Sequence, residues 1–375
     1  MDERDAHLRS GGRAVLAILA ASAAFKLAFI LAAGELVYGD VRIALQFGRA
    51  ALEAGFAGGE SGPLVINSKT LLGPILWISI HGLTGVAGLK AINLACFLAL
   101  FALQWRLGRD AYPAGILATG LFLFAFYPGT NLNVIAGEPD DMVFAVLVAA
   151  GVLVHVRSDR PFAASFLLGL AFLFKFTAAV FWVGFAAFLL GRRRGKALLL
   201  SAAGMALPFA VLNLATAGHG LDCLRRSLEI QAHYSSSGEV AFKLFSTGLL
   251  PAVLVSAWAV RRGATARDTL FFCLGAVYLP YVLLLRDAYA AGYVMMVCMV
   301  FLSFLIARFL DEVLAGRGHP ASPRRRALAA VLVAYFLATT AITTHNLYHD
   351  TAPLGIEAAA ARERLLPIGT PERGR

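Results

Sequence analysis

Apolar runs recur from residue 14 to residue 345, and this recurrence limits the fold more than any other feature of the chain. A backbone inside hydrocarbon has no water to bond to. Helices, which satisfy their own N–H and C=O groups, are the solution open to a sequence of this kind. A crossing needs about 20 apolar residues. Composition points the same way. Of 375 residues, 59% are hydrophobic and 15% charged, against about 25% charged in soluble domains. The expected fold is an all-α polytopic membrane protein, one integral-membrane domain over residues 1–375. No internal repeat or low-complexity linker divides it.

The candidate spans are 14–34, 89–105, 112–128, 139–156, 162–174, 176–190, 197–216, 244–260, 269–285, 288–308 and 327–345. That makes about eleven crossings. Segments 162–174 and 176–190 are short and read as a tight hairpin with Lys175 near its turn. Segment 71–86 is ambiguous. As a separate full span it would put Arg106 and Arg109 on the wrong side. A re-entrant or surface course is preferred, and a bent, continuous span with the next run stays open.

The basic residues fall in short linkers: Arg157 and Arg160, Arg192 to Lys196, Arg261 and Arg262, Arg324 to Arg326. Such clusters mark cytoplasmic loops. The N-terminus is then cytoplasmic and the tail 346–375 lies outside. The net charge of +10 is therefore no sign of nucleic-acid binding, which would need a basic, aromatic-interleaved surface outside the spans. Cys96, Cys223, Cys273 and Cys298 have no paired spacing, so neither a disulfide framework nor a zinc site is expected. The first run has no convincing cleavage site and reads as an uncleaved span.

Residues 35–70, 128–141, 217–243 and 346–375 are then expected to face outward. In the first of these, Arg42, Gln46, Arg49 and Glu53 share one helical face. Apolar residues lie largely opposite, as in an amphipathic helix on the membrane interface. Asp40 stands near its first turn.

A charge at the centre of a span costs at least ~2.5–3.5 kcal/mol. Charges within the runs or at their rims are therefore candidates: Lys26, Asp40, Lys69, Lys90, Glu138, Asp140, Asp141, Lys175, His233 and Arg286, with Tyr234 beside His233. Carboxylates can take a proton from an attacking hydroxyl. Lysine and arginine can hold phosphate oxygens as charge develops. Each candidate also has a plain structural reading. Asp40 could cap the helix from Val41. The acids at 138–141 suit a helix N-terminus behind Pro139. Lys26 could snorkel, Lys69 and Lys90 could meet headgroups, and Arg286 could pair with Asp287. Lys175, within LAFLFKFTAAVF, sits in too apolar a setting for a solvated turn. His233 and Tyr234 stand in a polar loop and carry the weakest signal. There is no Walker loop, HExxH helix or GxSxG elbow. No metal is expected as a requirement. A divalent ion, if present, would use Asp40 with Glu138 or Asp141, although no spacing demands it.

The order of these features resembles a known family. LAAGELVYGD, NSKTLLGPILW, GEPDDMVFAVLVAAGVLV, FLLGLAFLFKFTAAVFW and RDAYAAGYVMMV together look like the GT-C superfamily of integral-membrane glycosyltransferases. The branch is the one that includes protein O-mannosyltransferases and bacterial lipid A aminoarabinose transferases. The resemblance covers 14–190 well, as a catalytic GT-C-like module; 191–345 follow only by pattern, as additional transmembrane helices. It implies a polyprenyl-phosphate-linked sugar donor and a hydroxyl acceptor, whether lipid, polysaccharide or protein. It implies Asp40 as catalytic base and Lys175, Arg286 and Lys69 near the donor phosphate. Glu138, Asp140 and Asp141 would orient sugar or acceptor, with His233 and Tyr234 as weaker candidates. Location in a bacterial inner membrane is expected, with the site at the periplasmic or extracellular face. The competing expectation is a transporter or flippase of a lipid-linked sugar, against which the lack of internal symmetry counts.

Overall fold

Every regular element among the described residues is an α-helix. The computed structural model describes residues 3–34, 72–135, 139–215, 221, 224–225, 237–285 and 290–314, with positions 323, 327, 330, 331, 333–339 and 341. In chain order the helices are α1 Glu3–Ala33, α2 Leu72–Gly108, α3 Ala114–Ala125, α4 Pro128–Ile135, α5 Pro139–Ser158, α6 Pro161–Phe174 and α7 Ala178–Gly191. Then come α8 Gly195–Ala215, α9 Ser237–Ser246, α10 Leu249–Arg261, α11 Ala266–Ala276, α12 Tyr278–Leu285 and α13 Ala290–Leu314.

Among the described residues, five stretches are long and apolar enough to cross a membrane: Gly12–Ala33, Ser79–Gly108, Pro139–Ser158, Gly195–Ala215 and Ala266–Leu284. A sixth arises if α3 and α4, bent by 50° at their junction, count as one. Helices α6, α7 and α10 are apolar but shorter. The chain is thus an all-α membrane protein. The amphipathic helix expected after Asp40 lies outside the described residues.

Two stretches depart from expectation. Segment 72–86 is helical and joined to the next run: α2 is two helices meeting at a kink at Gly85 (φ 65°, ψ −162°) and reaches Gly108. That backbone region is open essentially to glycine alone, so Gly85 makes the kink. The bent, continuous span keeps Arg106 beside the other basic linkers. Residues 128–135, expected in an outward loop, form α4, in which Gly129, Thr130, Asn131, Asn133, Val134 and Ile135 are buried. Proline has no N–H to continue a helix. Pro128 therefore breaks the run here, and Tyr127 N donates to Phe124 O over 3.3 Å instead.

The arginine-bearing linkers converge on one end of the bundle. Arg157 reaches Asp110 at 2.7 Å and the carbonyl of Arg106 at 3.3 Å. Arg194 grips both oxygens of Asp159 at 2.7 Å. Arg267 donates to Leu107 O (3.1 Å), and Arg308 to Asp268 (3.0 Å). Asp268 also accepts from Tyr112 (2.6 Å) and closes a capping box with Thr265 at the start of α11. The candidate charges of α5 and α6 lie at the other end.

Helix α13 is the central post. Residues 295–305 are buried on every side, as an all-round apolar helix must be. Phe304 packs against Tyr112 and Phe271 (ring centroids 5.1 and 5.8 Å apart). Polar side chains join helices across the apolar interior. Gln104 donates to Ser303 Oγ (2.8 Å) and Val300 O (3.2 Å). Ser165 and Ser201 meet at 2.6 Å, and Trp182 donates to Ser201 over 2.9 Å. Small residues let helices approach, as is usual in membranes. At Gly204 in α8 an added Cβ would stand 2.4 Å from the Phe162 carbonyl of α6.

Gly204→Ala must push α8 from α6. Such overpacking costs about 1–3 kcal/mol, read as a lowered thermal midpoint in detergent. Gly115→Ala, where nothing lies within 4 Å, should be neutral or slightly stabilising; equal effects would contradict the close approach. The Asp159–Arg194 clasp predicts a pH dependence. The hydrogen bonds from Arg194 hold the Asp159 carboxyl below its usual range. The clasp thus stabilises above the ordinary carboxyl pKa and is lost as pH falls through the depressed value. The side chain is exposed, so Asp159→Asn should cost only about 0–1 kcal/mol near neutral pH. That difference should vanish in acid; one that grew in acid would contradict the clasp.

Candidate active site

Helices α5 and α6 are antiparallel and joined at the arginine end by Asp159 and Arg160. Their register fixes what meets at the far end. Gly151 lies against the Ala164 carbonyl, where an added Cβ would come within 2.7 Å. Counting outward by equal steps, the start of α5 arrives opposite the end of α6. There Lys175 Nζ bonds Asp141 Oδ1.

Pro139 and the two acids behind it open α5. Proline in the first turn and acids near the positive helix end account for that choice of residues. They do not account for burial. Asp140 is 0%, Asp141 3% and Lys175 6% exposed, although the dipole would favour solvated acids equally well. Lys175 is where α6 stops. Its backbone is extended (φ −154°, ψ 122°), and its N–H closes the helix on Ala171 O. The Asp140 carboxylate accepts from the Asp141 N–H at 3.1 Å, which ties the two acids into one unit.

An aromatic floor lies beneath. Phe144, one turn along α5, meets Phe181 edge-on (5.7 Å). Phe181 stacks on Tyr278 (6.1 Å), and Tyr278 on Tyr281 (5.0 Å). Tyr278 is fully buried. Thr177, two residues beyond the lysine, is buried with no hydrogen-bond partner for its hydroxyl among the described residues. On the α4 side, Asn93 donates to Asn133 O (3.2 Å) and Asn133 to Gly129 O (2.8 Å). Thr130 and Asn131 are buried beside them.

Of the residues singled out in the sequence, the structure brings together Asp140, Asp141 and Lys175. Asp40, Lys69, Glu138, His233, Tyr234 and Arg286 lie outside the described residues. Among the described residues no three His, Cys, Asp or Glu side chains converge as a metal site would require.

Lys26 and Lys90 take roles other than those expected. Lys26 does not snorkel. It is fully buried, donates to Ala125 O at 2.6 Å and sits over the Phe97 ring at 4.1 Å. Lys90 does not reach a headgroup either; it donates to Gly34 O at 2.7 Å. Both ammonium groups satisfy carbonyls at helix ends, where positive charge is favoured. The asparagines carry a signal in the sequence, an amide within an apolar run, as in LKAINLACF and PGTNLNVI; Tyr278, in LGAVYLPYV, carries none.

No family model matches the sequence, and no curated protein matches it. Among solved structures, the bundle is similar to the Archaeoglobus fulgidus oligosaccharyltransferase in its apo form. The TM-score is 0.53 at 13% identity, over 94% of this chain and 60% of that one. This chain thus spans about three fifths of the archaeal chain. At that identity the likeness is one of fold alone.

Proposed function

We propose that the chain is a glycosyltransferase that moves a sugar from a polyprenyl-phosphate donor to a hydroxyl acceptor. The observation that carries this reading is the buried Asp141–Lys175 pair with Asp140 beside it, at the end of a GT-C-like bundle opposite the arginines. Basic linkers face the cytoplasm, so that end faces the periplasm or the exterior of a bacterial inner membrane. Counting α3–α4 as one, the shorter helices α6, α7 and α10, then α13 and the expected span 327–345, bring the crossings to about eleven, and the first outer loop carries the interfacial helix.

The chemistry follows from charge. Asp40 takes the proton of the acceptor hydroxyl. The freed oxygen attacks the anomeric carbon, the bond from that carbon to the phosphate oxygen breaks, and the configuration inverts. Charge gathers on the departing polyprenyl phosphate. Lys175, with Arg286 and Lys69, holds it. Asp141 pairs with the Lys175 ammonium and fixes its direction. Asp140 and Glu138, with His233 and Tyr234, orient sugar or acceptor. Because Asp141 is committed to Lys175, a divalent ion held with Asp40 would fall to Glu138.

The test uses the purified chain in nanodiscs with a radiolabelled polyprenyl-phosphate sugar. Release of polyprenyl phosphate with labelled acceptor supports transfer; passage of intact donor across vesicles would replace this reading with a flippase. Asp40→Asn should fold normally and lose about 10²–10⁴-fold in turnover, the range for a positioned base. Near-normal turnover would remove that role. Lys175→Ala should weaken donor binding more than acceptor binding; the reverse pattern would argue against a phosphate contact.

A further inference from the structure

The arginine end holds a second polar cavity that the transfer reading does not use. It occupies about 560 Å³ between the end of α5, the α7–α8 turn and the start of α11. Asp110, His155, Asp159, Arg192, Arg194 and Arg267 all line it. Its charges do not cancel. Asp159 is taken by Arg194 through two 2.7 Å bonds, and Asp110 by Arg157 at 2.7 Å and Arg109 at 3.5 Å. Arg267 spends one N–H on Leu107 O. Neither Arg267 nor Arg192 has a carboxylate partner among the described residues. Inside the cavity wall stands His155, only 7% exposed, its ring edge-on to Phe185 at 4.8 Å. Its Nδ1 has no hydrogen-bond partner among the described residues, with Asp159 Oδ1 3.5 Å away.

Two guanidinium groups and a buried imidazole facing one space fit a phosphate oxygen cluster. The depth of the cavity selects the kind of phosphate. Trp105 and Trp258 lie at this end beneath Arg109 and Arg262, at 5.1 and 4.7 Å from ring to guanidinium. Tryptophans under cations mark the headgroup level of a bilayer. Phe188, one turn before Arg192 on α7, lines the same cavity, so apolar surface adjoins the cationic wall. Basic pockets between helices on the cytoplasmic side are suited to anionic lipid headgroups.

We propose that this cavity binds the phosphodiester headgroup of an anionic membrane phospholipid, with Arg192 and Arg267 on the phosphate and His155 as a further donor. The inference is independent of what the opposite end catalyses.

The full chain in phosphatidylcholine nanodiscs, titrated with phosphatidylglycerol and read by native mass spectrometry, tests it. Wild type should retain phosphatidylglycerol in preference to phosphatidylcholine. Each arginine's charge-assisted hydrogen bonds to the phosphate contribute enough that Arg192→Gln should weaken retention about tenfold, and Arg192→Gln with Arg267→Gln about a hundredfold. Arg193→Gln with Arg261→Gln removes the same charge from the same end but outside the cavity, and should leave retention as in wild type. Arg192 is exposed and caps α7 through its backbone N–H, which Gln retains, so its single variant remains informative if the double variant fails to fold. Equal loss in both double variants would reduce the effect to bulk surface potential and overturn the site. So would equal retention of the two lipids by wild type. Inorganic phosphate competing as strongly as phosphatidylglycerol would overturn the lipid assignment in favour of a soluble anion.

Discussion

A backbone carbonyl inside hydrocarbon must find a donor within the protein, and the architecture follows from that requirement. Straight helices meet it unaided. Wherever a helix breaks, something else must supply the donor. At the α3–α4 junction, Pro128 removes an N–H, Tyr127 N takes over at Phe124 O, and Lys26 reaches across from α1 to Ala125 O. At the end of α1, Lys90 of α2 covers Gly34 O. Two of the most conspicuous buried charges are thereby accounted for as helix-end donors. They bind α1 to α2 and α3 and hold the far end of the bundle in shape.

Lys175 is different. It also ends a helix, but its ammonium turns to the Asp141 carboxylate. Burying both members of an ion pair costs several kcal/mol per ion before their attraction repays it, and apolar replacements are often neutral or better. Stability therefore gives no reason to keep the pair. At the arginine end the Arg194–Asp159 and Arg157–Asp110 pairs are well exposed, cheap to form and each of small effect. The buried acid there, Asp268, serves structure: it takes Arg308 and Tyr112 and closes the capping box of α11. Asp141 instead meets a lysine from a different helix end.

Much of this could be read from local pattern. The short hairpin expected at 162–174 and 176–190 is α6 and α7, with Lys175 at its turn. The acid-led span expected from 139 is α5, two residues longer at its end. These are matters of apolar run length and of which residues interrupt it. What escaped depends on contacts far apart in sequence. Lys26 and Ala125 are 99 residues apart, and Lys90 and Gly34 are 56 apart, so their bonds left no local trace. The α4 turn, PGTNLNVI, is polar enough to pass for a loop, yet Asn133 Nδ2 donates to the Gly129 carbonyl and Asn93 to the Asn133 backbone carbonyl. Gly85 was equally deceptive, since a glycine between two apolar runs marks a break or a bend without distinguishing them. Asp141 and Lys175 could each be suspected alone; only the α5–α6 register shows that they meet.

The most direct test of the central claim replaces the pair together. Asp141→Asn with Lys175→Met removes both charges while keeping similar volumes. If the pair is kept for reaction and not for folding, the double variant should hold a thermal midpoint at or above that of either single variant and should not transfer sugar. A double variant that turns over donor at the wild-type rate would contradict the account.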